Sequence, residues 1–374
     1  MRHALAAAAL GLVGCASMSR SEVRWEPVIA YEGGAAFERL RVGRPDASDP
    51  SLQIVGVDQA GDVVHVHYDG GAPIARVVHR HGAELTGLVI ADVDASVAGE
   101  EIYAGGYAKG DGREGTGGVV LQIVLAGGET KVRRVFECDA YVHAIECLEP
   151  SAPGEPRRLL VGTYAGAVHL VTPAAGDAPW TSRILYRDPP SADPEVPKIK
   201  DIGLLADPAG RAPHEALVVM KMGRAVLLDV EHPDAAHLVH VETGGLARVT
   251  PDDAGGAYVV GYFGRVMHFV REGDKFRIDV LDQEGTDSGL RGFVRGRFPL
   301  PGGSGAVAPF AIFGFHRLCR ALVERDGVWD PVTLYRDTDR GHTLIAADVV
   351  PDNDADELVM SGYSKRITVL VARR

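Results

Sequence analysis

Three ten-residue segments, WEPVIAYEGG from Trp25, WTSRILYRDP from Trp180 and WDPVTLYRDT from Trp329, are copies of one another and hold all three tryptophans of the chain. Weaker copies fall between them: PIARVVHRHG from Pro73, KVRRVFECDA from Lys131, HLVHVETGGL from His237 and FRIDVLDQEG from Phe276. Seven copies between Trp25 and Trp329 give a period of about 51 residues, so the chain is one repeated unit and not a string of unrelated domains. Amphipathic helical patterns are missing between the copies. Short β-branched runs broken by Gly, Pro and Asp take their place, so the unit is a small sheet.

A second element recurs seven times between these copies, as in LQIVGVDQAGDVVHV, RLLVGTYAGAVHLV and ELVMSGYSKRITVLV. Each is an apolar strand, a turn carrying Gly or polar residues that tolerate positive φ, and another apolar strand. A further strand precedes each hairpin, seen in LTGLVIADVD, HAIECLE and HTLIAADVV. Each unit therefore has four strands. The last hairpin runs out at Arg374 with no outer strand of its own, whereas WEPVIAYEGG is an outer strand with no sheet before it. Pairing the first with the last supplies both and leaves no long sheet edge exposed. The expected fold is all-β: a seven-bladed β-propeller of four-stranded blades over residues 23–374, closed by the N-terminal strand. Six or eight blades are the alternatives, because the fifth blade is short and the sixth contains FPLPGGSGAVAP.

Met1, Arg2 and His3 precede an unbroken small-apolar run from Ala4 to Val13, too short to span a bilayer. It has the layout of a secretory signal, and its end, Leu12-Val13-Gly14-Cys15, resembles the lipobox of bacterial lipoproteins. That resemblance implies cleavage after residue 14, lipidation of Cys15, a short linker over 15–22, and anchorage to the cell envelope. Ala16 in place of an aspartate points, by the same analogy, to the outer membrane. A plain signal peptide with an incidental cysteine is the other reading. Cys138, Cys147 and Cys319 remain; they fit no metal motif and read as buried free thiols, with a Cys138–Cys147 bridge as the alternative.

The loop-and-strand segments ADVDASVAGEEIYAGGY from Ala91 and ADVVPDNDADELVMSGY from Ala347 align without a gap and resemble integrin-type FG-GAP and VCBS repeats. The acids matching that pattern are Asp92, Asp94 and Glu100 in one and Asp348, Asp352 and Asp356 in the other. The resemblance implies calcium, a hard cation needing several oxygens, with Asp92, Asp94, Asp348 and Asp352 as ligands. The alternative is a solvated turn whose first Asp caps backbone amides.

In a propeller the start of each inner strand and the turn of each central hairpin share one face. That rule gathers Glu38, Thr86, His143, Lys200, Gly244, Arg291 and His342 from the inner strands. From the hairpins it adds Tyr107, Lys109, Tyr164, Arg224, Tyr262, Phe263, Arg265, Phe315, His316, Arg317, Tyr363 and Lys365. This face is basic and aromatic although the chain carries a formal charge of −12, a balance that excludes nucleic-acid binding. The first expectation is a non-catalytic, monomeric lipoprotein whose channel mouth binds a partner protein, a glycan or a small anionic ligand. The ligand residues are expected among His143, Lys200, Arg291, His316, His342, Tyr164, Tyr262 and Tyr363. The second is a polysaccharide lyase or hydrolase with His143 or His342 as general base. The loop GDGREGTGG from Gly110 has no helix after it to complete a phosphate cradle and reads as a flexible hairpin loop.

Overall fold

The computed structural model describes residues 23–373 apart from 153, 175–177, 190–192, 194–196, 208, 212, 274, 286–287, 302–306 and 352–355. The N-terminal segment read as a signal, Cys15 and Asp352 lie outside the described residues.

Runs such as Gln53–Asp58, Glu101–Gly106 and Glu357–Gly362 are buried along their whole length, which is why they read as continuous apolar stretches. They are second strands, sandwiched between neighbouring sheets. Seven four-stranded antiparallel sheets form: blades 1 (37–80), 2 (85–138), 3 (142–187), 4 (199–241), 5 (246–283), 6 (290–336) and 7 (341–373). The strand Arg24–Glu32 is the outermost strand of blade 7, paired along Arg366–Arg373 from Arg24 opposite Arg373 to Glu32 opposite Arg366. The expected closure is therefore present, with seven blades and not six or eight.

Seven hydrophobic clusters fill the seven seams between adjacent blades. The seam that closes the ring packs Phe37, Leu40 and Ile54 of blade 1 against Val359, Ile367 and Val369 of blade 7, all fully buried. The tryptophans that mark the repeat reinforce these seams. Trp25 packs into the seam between blades 6 and 7 and donates its indole N–H to the Pro299 carbonyl at 3.0 Å, and Trp180 of blade 3 lies 5.8 Å from the Tyr103 ring of blade 2.

Both edges of every blade carry a β-bulge at a fixed place. In the outermost strands the skipped residue is Ala30, Val78, Val135, Leu185, Val239, Leu281 or Leu334. Five of them are the sixth residue of the ten-residue repeat, Val135 and Val239 are the fifth and third of their weaker copies, and all seven pack into the seams. In the innermost strands the skipped residue is the second: Glu38, Thr86, His143, Lys200, Ala247, Arg291 and His342. A bulge puts two residues opposite one and re-aims a side chain. Repeated seven times, it gathers one side chain per blade at the rim of the central channel.

The central hairpins use a left-handed residue after the turn in six blades. It is Gly61, Gly166, Gly223 and Gly264 in four of them, and Arg317 (φ 67°) and Lys365 (φ 63°) in blades 6 and 7. At Gly223 a Cβ would come within 1.7 Å of the Glu242 carbonyl oxygen, so no other residue fits there. Blade 2 instead extends into a two-stranded hairpin, Lys109–Asp111 with Glu114–Thr116. All three described cysteines are free; Cys319 is buried, while Cys138 and Cys147 are half-buried and unbridged.

Candidate functional site: a basic channel under an aromatic collar

Three sets of equivalent positions build the channel mouth. The bulge ring lies deepest, and its polar members are all buried. Above it, the residue that follows each second strand donates its backbone N–H to the carbonyl of a residue just before the same blade's innermost strand. These positions are Gln59, Tyr107, Tyr164, Lys221, Tyr262, Phe315 and Tyr363, joined to Ala36, Glu84, Tyr141, Lys198, Gly245, Gly289 and Arg340. Five of the seven residues in the first series are aromatic and half-buried, which makes a collar of rings at the solvent edge.

Cations lie against these rings. The Arg291 guanidinium sits 4.3 Å from the Tyr262 centroid and 5.0 Å from Phe315, and Arg340 sits 4.1 Å from Tyr363. Lys198 and Lys200 lie 5.0 and 5.1 Å from Tyr164. The extra hairpin of blade 2 folds over this edge: Glu84 N–H donates to Gly112 O at 2.6 Å, and Arg113 reaches Glu84 at 3.5 Å. The glycine-rich loop expected to be flexible is thus a pinned flap that brings one more cation to the mouth.

The two histidines of the bulge ring are held alike. His143 Nδ1 lies 2.9 Å from Lys200 O, and His342 Nδ1 lies 2.9 Å from Glu38 O, each the carbonyl of the next blade's bulge residue. A carbonyl only accepts, so Nδ1 carries the proton and Nε2 presents a lone pair. That lone pair faces Lys200 Nζ at 2.7 Å in one case and Arg291 Nη1 at 3.2 Å in the other. Burial, then for His143 Lys200, Arg248, Arg39 and Arg291, hold its pKa well below the ordinary value. Burial and Arg291 likewise outweigh Glu38 at His342 and push it down to about 3. Neither ring is free to act as a base near pH 7, and the geometry does not support the histidine-dependent lyase or hydrolase.

Beneath the ring, Arg39 of blade 1 reaches across to Asp201 of blade 4, with Nη1 2.8 Å from Oδ1, while the other carboxylate oxygen accepts the Val249 N–H at 3.1 Å. Arg248 donates to Ala247 O and Glu38 O. Its pKa is pushed down to about 9 by burial and by Arg39, so it remains charged at pH 7. Burial works against ionisation of Glu38, but the His342 ring 3.3 Å away, the Gln59 amide at 2.5 Å and the Arg291 guanidinium more than offset it and lower its pKa to about 2. Glu84 differs: burial and then Glu38 raise it to about 7 against the pull of Arg113. The buried ring and the layer beneath it thus hold three guanidinium groups, those of Arg39, Arg248 and Arg291, against two ionised carboxylates, Glu38 and Asp201, with the Lys200 amine buried beside them. Arg39 Nε and Nη2 and Arg291 Nε are buried without a hydrogen-bond acceptor. Buried donors of this kind cost free energy until something accepts from them.

Most of the residues read from sequence meet here. Glu38, Thr86, His143, Lys200, Arg291 and His342 occupy the bulge ring, and Tyr107, Tyr164, Tyr262, Phe315 and Tyr363 the collar. Blade 5 departs from expectation: its ring position is Ala247, not Gly244, because the strand begins at Leu246. His316 points to the outer seam instead, 2.8 Å from Glu284 beside Arg320. Arg224 and Arg265 are clamps between blades, bound to Asp188 and Glu242. Arg39, Asp201, Arg248, Tyr141 and Glu84 escaped the sequence reading. Their signal was positional, one residue after or two before the bulge.

On the opposite side of blades 2 and 7, the aligned acidic loops are organised by a residue next to the ones singled out. Glu101 Oε2 accepts the N–H groups of Val93 and Asp94, and Glu357 Oε2 those of Val349 and Val350, with both glutamates fully buried. Asp94 is bound by Arg133, Ser96 and Gln122, Asp92 lies 3.5 Å from Arg157, and Asp348 is exposed. Among the described residues no cluster of three or more His, Cys, Asp or Glu side chains is spaced to hold a metal ion.

No family model matches the chain, and no curated protein matches it. Solved structures do. The WD40 β-propeller domain of Doa1 superposes with a TM-score of 0.60 at 11% identity, covering 92% of this chain and 97% of that one. A streptogramin B lyase structure gives 0.63 at 8% identity over 96% and 100%, and BBS1N, solved in complex with ARL6DN, gives 0.58 at 10% over 94% and 97%. At such identities the likeness establishes the propeller fold alone.

Proposed function

We propose that this propeller is a binding protein whose channel mouth takes an acidic ligand, a carboxylate-bearing small molecule or the acidic group of a glycan or partner protein. One observation carries the reading: a surplus of buried cations in the channel, with guanidinium donors left without acceptors, in a chain of formal charge −12. A carboxylate placed among Arg291, Lys200 and Arg39 satisfies those donors with charge-assisted bonds, while the collar stacks on the rest of the ligand. The resemblance of the first fifteen residues to a lipoprotein signal adds export and attachment to a bacterial envelope through Cys15. The resemblance of the two aligned loops to FG-GAP and VCBS repeats supports kinship with that group of propellers.

Titration calorimetry with small di- and tricarboxylates tests the binding. Saturable binding is expected, weakened about tenfold or more by the double charge reversal Arg291→Glu with Lys200→Glu, which corresponds to at least ~1.4 kcal/mol. Unchanged binding in a folded double variant rejects the site. Palmitate labelling that is lost in Cys15→Ser tests the anchor.

A further inference from the structure

We propose that Lys200 is a nucleophilic amine that captures a carbonyl-bearing anion, such as a 2-oxo acid, as a reversible imine at the channel mouth. The inference rests on the acidic-ligand reading above and names the chemical class of that ligand.

Lys200 is oriented rather than merely buried. It is the bulge residue of the innermost strand Ile199–Leu204, with 5% of its surface exposed. Its Nζ lies 2.7 Å from His143 Nε2 and 2.9 Å from Tyr164 Oη. The Nδ1–H of His143 is committed to the Lys200 carbonyl, so Nε2 can only accept a proton from Nζ. The imidazole and phenol rings stack with centroids 5.0 Å apart, which fixes both partners. Its two hydrogen-bond partners are a neutral acceptor and a hydroxyl, neither of which neutralises a positive charge.

The charged groups around Nζ favour the neutral amine. Burial comes first, followed by Arg291, Arg248 and Lys221, with Glu38 opposing them. A desolvated lysine beside other cations is the usual way an amine is made nucleophilic at neutral pH. The same cations suit the substrate, because a carboxylate next to the carbonyl finds Arg291, whose Nε has no acceptor.

The step balances without a further reactant. The Nζ lone pair attacks the carbonyl carbon, a C–N bond forms, and the carbonyl oxygen becomes the hydroxyl of a carbinolamine. Nitrogen then gives up its protons as that hydroxyl leaves as water, yielding C=N. Tyr164 Oη is placed to pass the proton from nitrogen to the departing oxygen, and His143 keeps the amine aimed. No atom is oxidised or reduced.

The test uses the full chain, pyruvate, its non-carbonyl counterpart lactate, and cyanoborohydride, with peptide mass mapping. At pH 6.5 the reduced adduct is expected on Lys200 at about tenfold or more the level on exposed Lys109 and Lys365, since each unit of lowered pKa raises the neutral fraction tenfold. Lactate should compete, and Lys200→Arg should remove the adduct. Tyr164→Phe should slow labelling while leaving lactate affinity within about twofold, a split that a structural role alone does not produce. Labelling spread over exposed lysines overturns the proposal. Lactate binding with no Lys200 adduct overturns the imine and leaves the anion site standing; failure of both pyruvate and lactate to bind overturns the imine together with the site on which it rests.

Discussion

Replacing Asp201 by Ala should strip the channel of one of its two buried, ionised carboxylates and leave Arg39 without the carboxylate that accepts from it. Both side chains are nearly sealed, 3% exposed for Arg39 and 7% for Asp201, so water cannot substitute. Two of the Arg39 donors are already unsatisfied, and Arg248 lies close enough to act on the same carboxylate. Removing one partner of a buried pair costs about 3–5 kcal/mol, because the surviving charge is uncompensated. Removing both together with groups of similar volume is far milder. Arg39→Met with Asp201→Leu should therefore recover most of the loss, short of about 1 kcal/mol for the orphaned Val249 N–H. Urea unfolding followed by tryptophan fluorescence reads these differences as shifts in midpoint at constant slope. Arg39 and Arg248 hold the Asp201 carboxyl below its ordinary range against burial. A depressed folded pKa means that the stabilisation is present above the unfolded value near 3.9 and is lost as pH falls through the folded one. The difference between wild type and Asp201→Ala should thus shrink only below about pH 4. A loss under ~1 kcal/mol, or a double variant as unstable as the two single losses added, refutes the reasoning.

Glu84 should act in the opposite sense. Its carboxyl, raised to about 7, binds its proton more tightly in the folded chain than at the ordinary 4.5. Stability should fall as pH rises from about 4.5 to 7 and then level off, a slope that Glu84→Gln flattens in denaturant titrations across that range. Arg317→Gly and Lys365→Gly should each stabilise the protein by about 0.5–1 kcal/mol, since relief of a left-handed residue exceeds the added chain entropy; lower melting temperatures would contradict the turn assignment. Glu101→Ala and Glu357→Ala should each cost about 3 kcal/mol, the worth of two amide bonds to a charged acceptor, whereas Glu100→Ala should cost less than ~1 in the same unfolding assay.

The fold was legible because each blade repeats its exceptions as well as its strands. The ten-residue copies stand out through one apolar bulge position, Val78, Leu185 or Leu334 for example, that must fill a seam between blades. The unmatched strands at the two ends forecast the Arg24–Glu32 closure. The site was legible to the depth at which side chains follow strand starts and turns, and this located His143, Lys200, Arg291 and His342. It stopped at Arg39 and Asp201, because a pair joining blades 1 and 4 lies 162 positions apart in sequence and leaves no local pattern. Gly244 was misplaced because the short blade 5 offers no strong apolar start before Leu246. In the acidic loops, Glu100 and Asp356 drew attention through the repeat pattern, while burial selects the adjacent Glu101 and Glu357 as the residues that hold the backbone.

The most direct test of the central claim is anomalous diffraction from crystals soaked in bromide, which reports where the protein accepts an anion without presuming its identity. The account predicts a bromide peak in the channel within contact distance of Arg291, Lys200 or Arg39, absent in crystals of the Arg291→Glu, Lys200→Glu variant. Peaks confined to outer surfaces such as Arg277 or Arg325, with the channel empty, would contradict it.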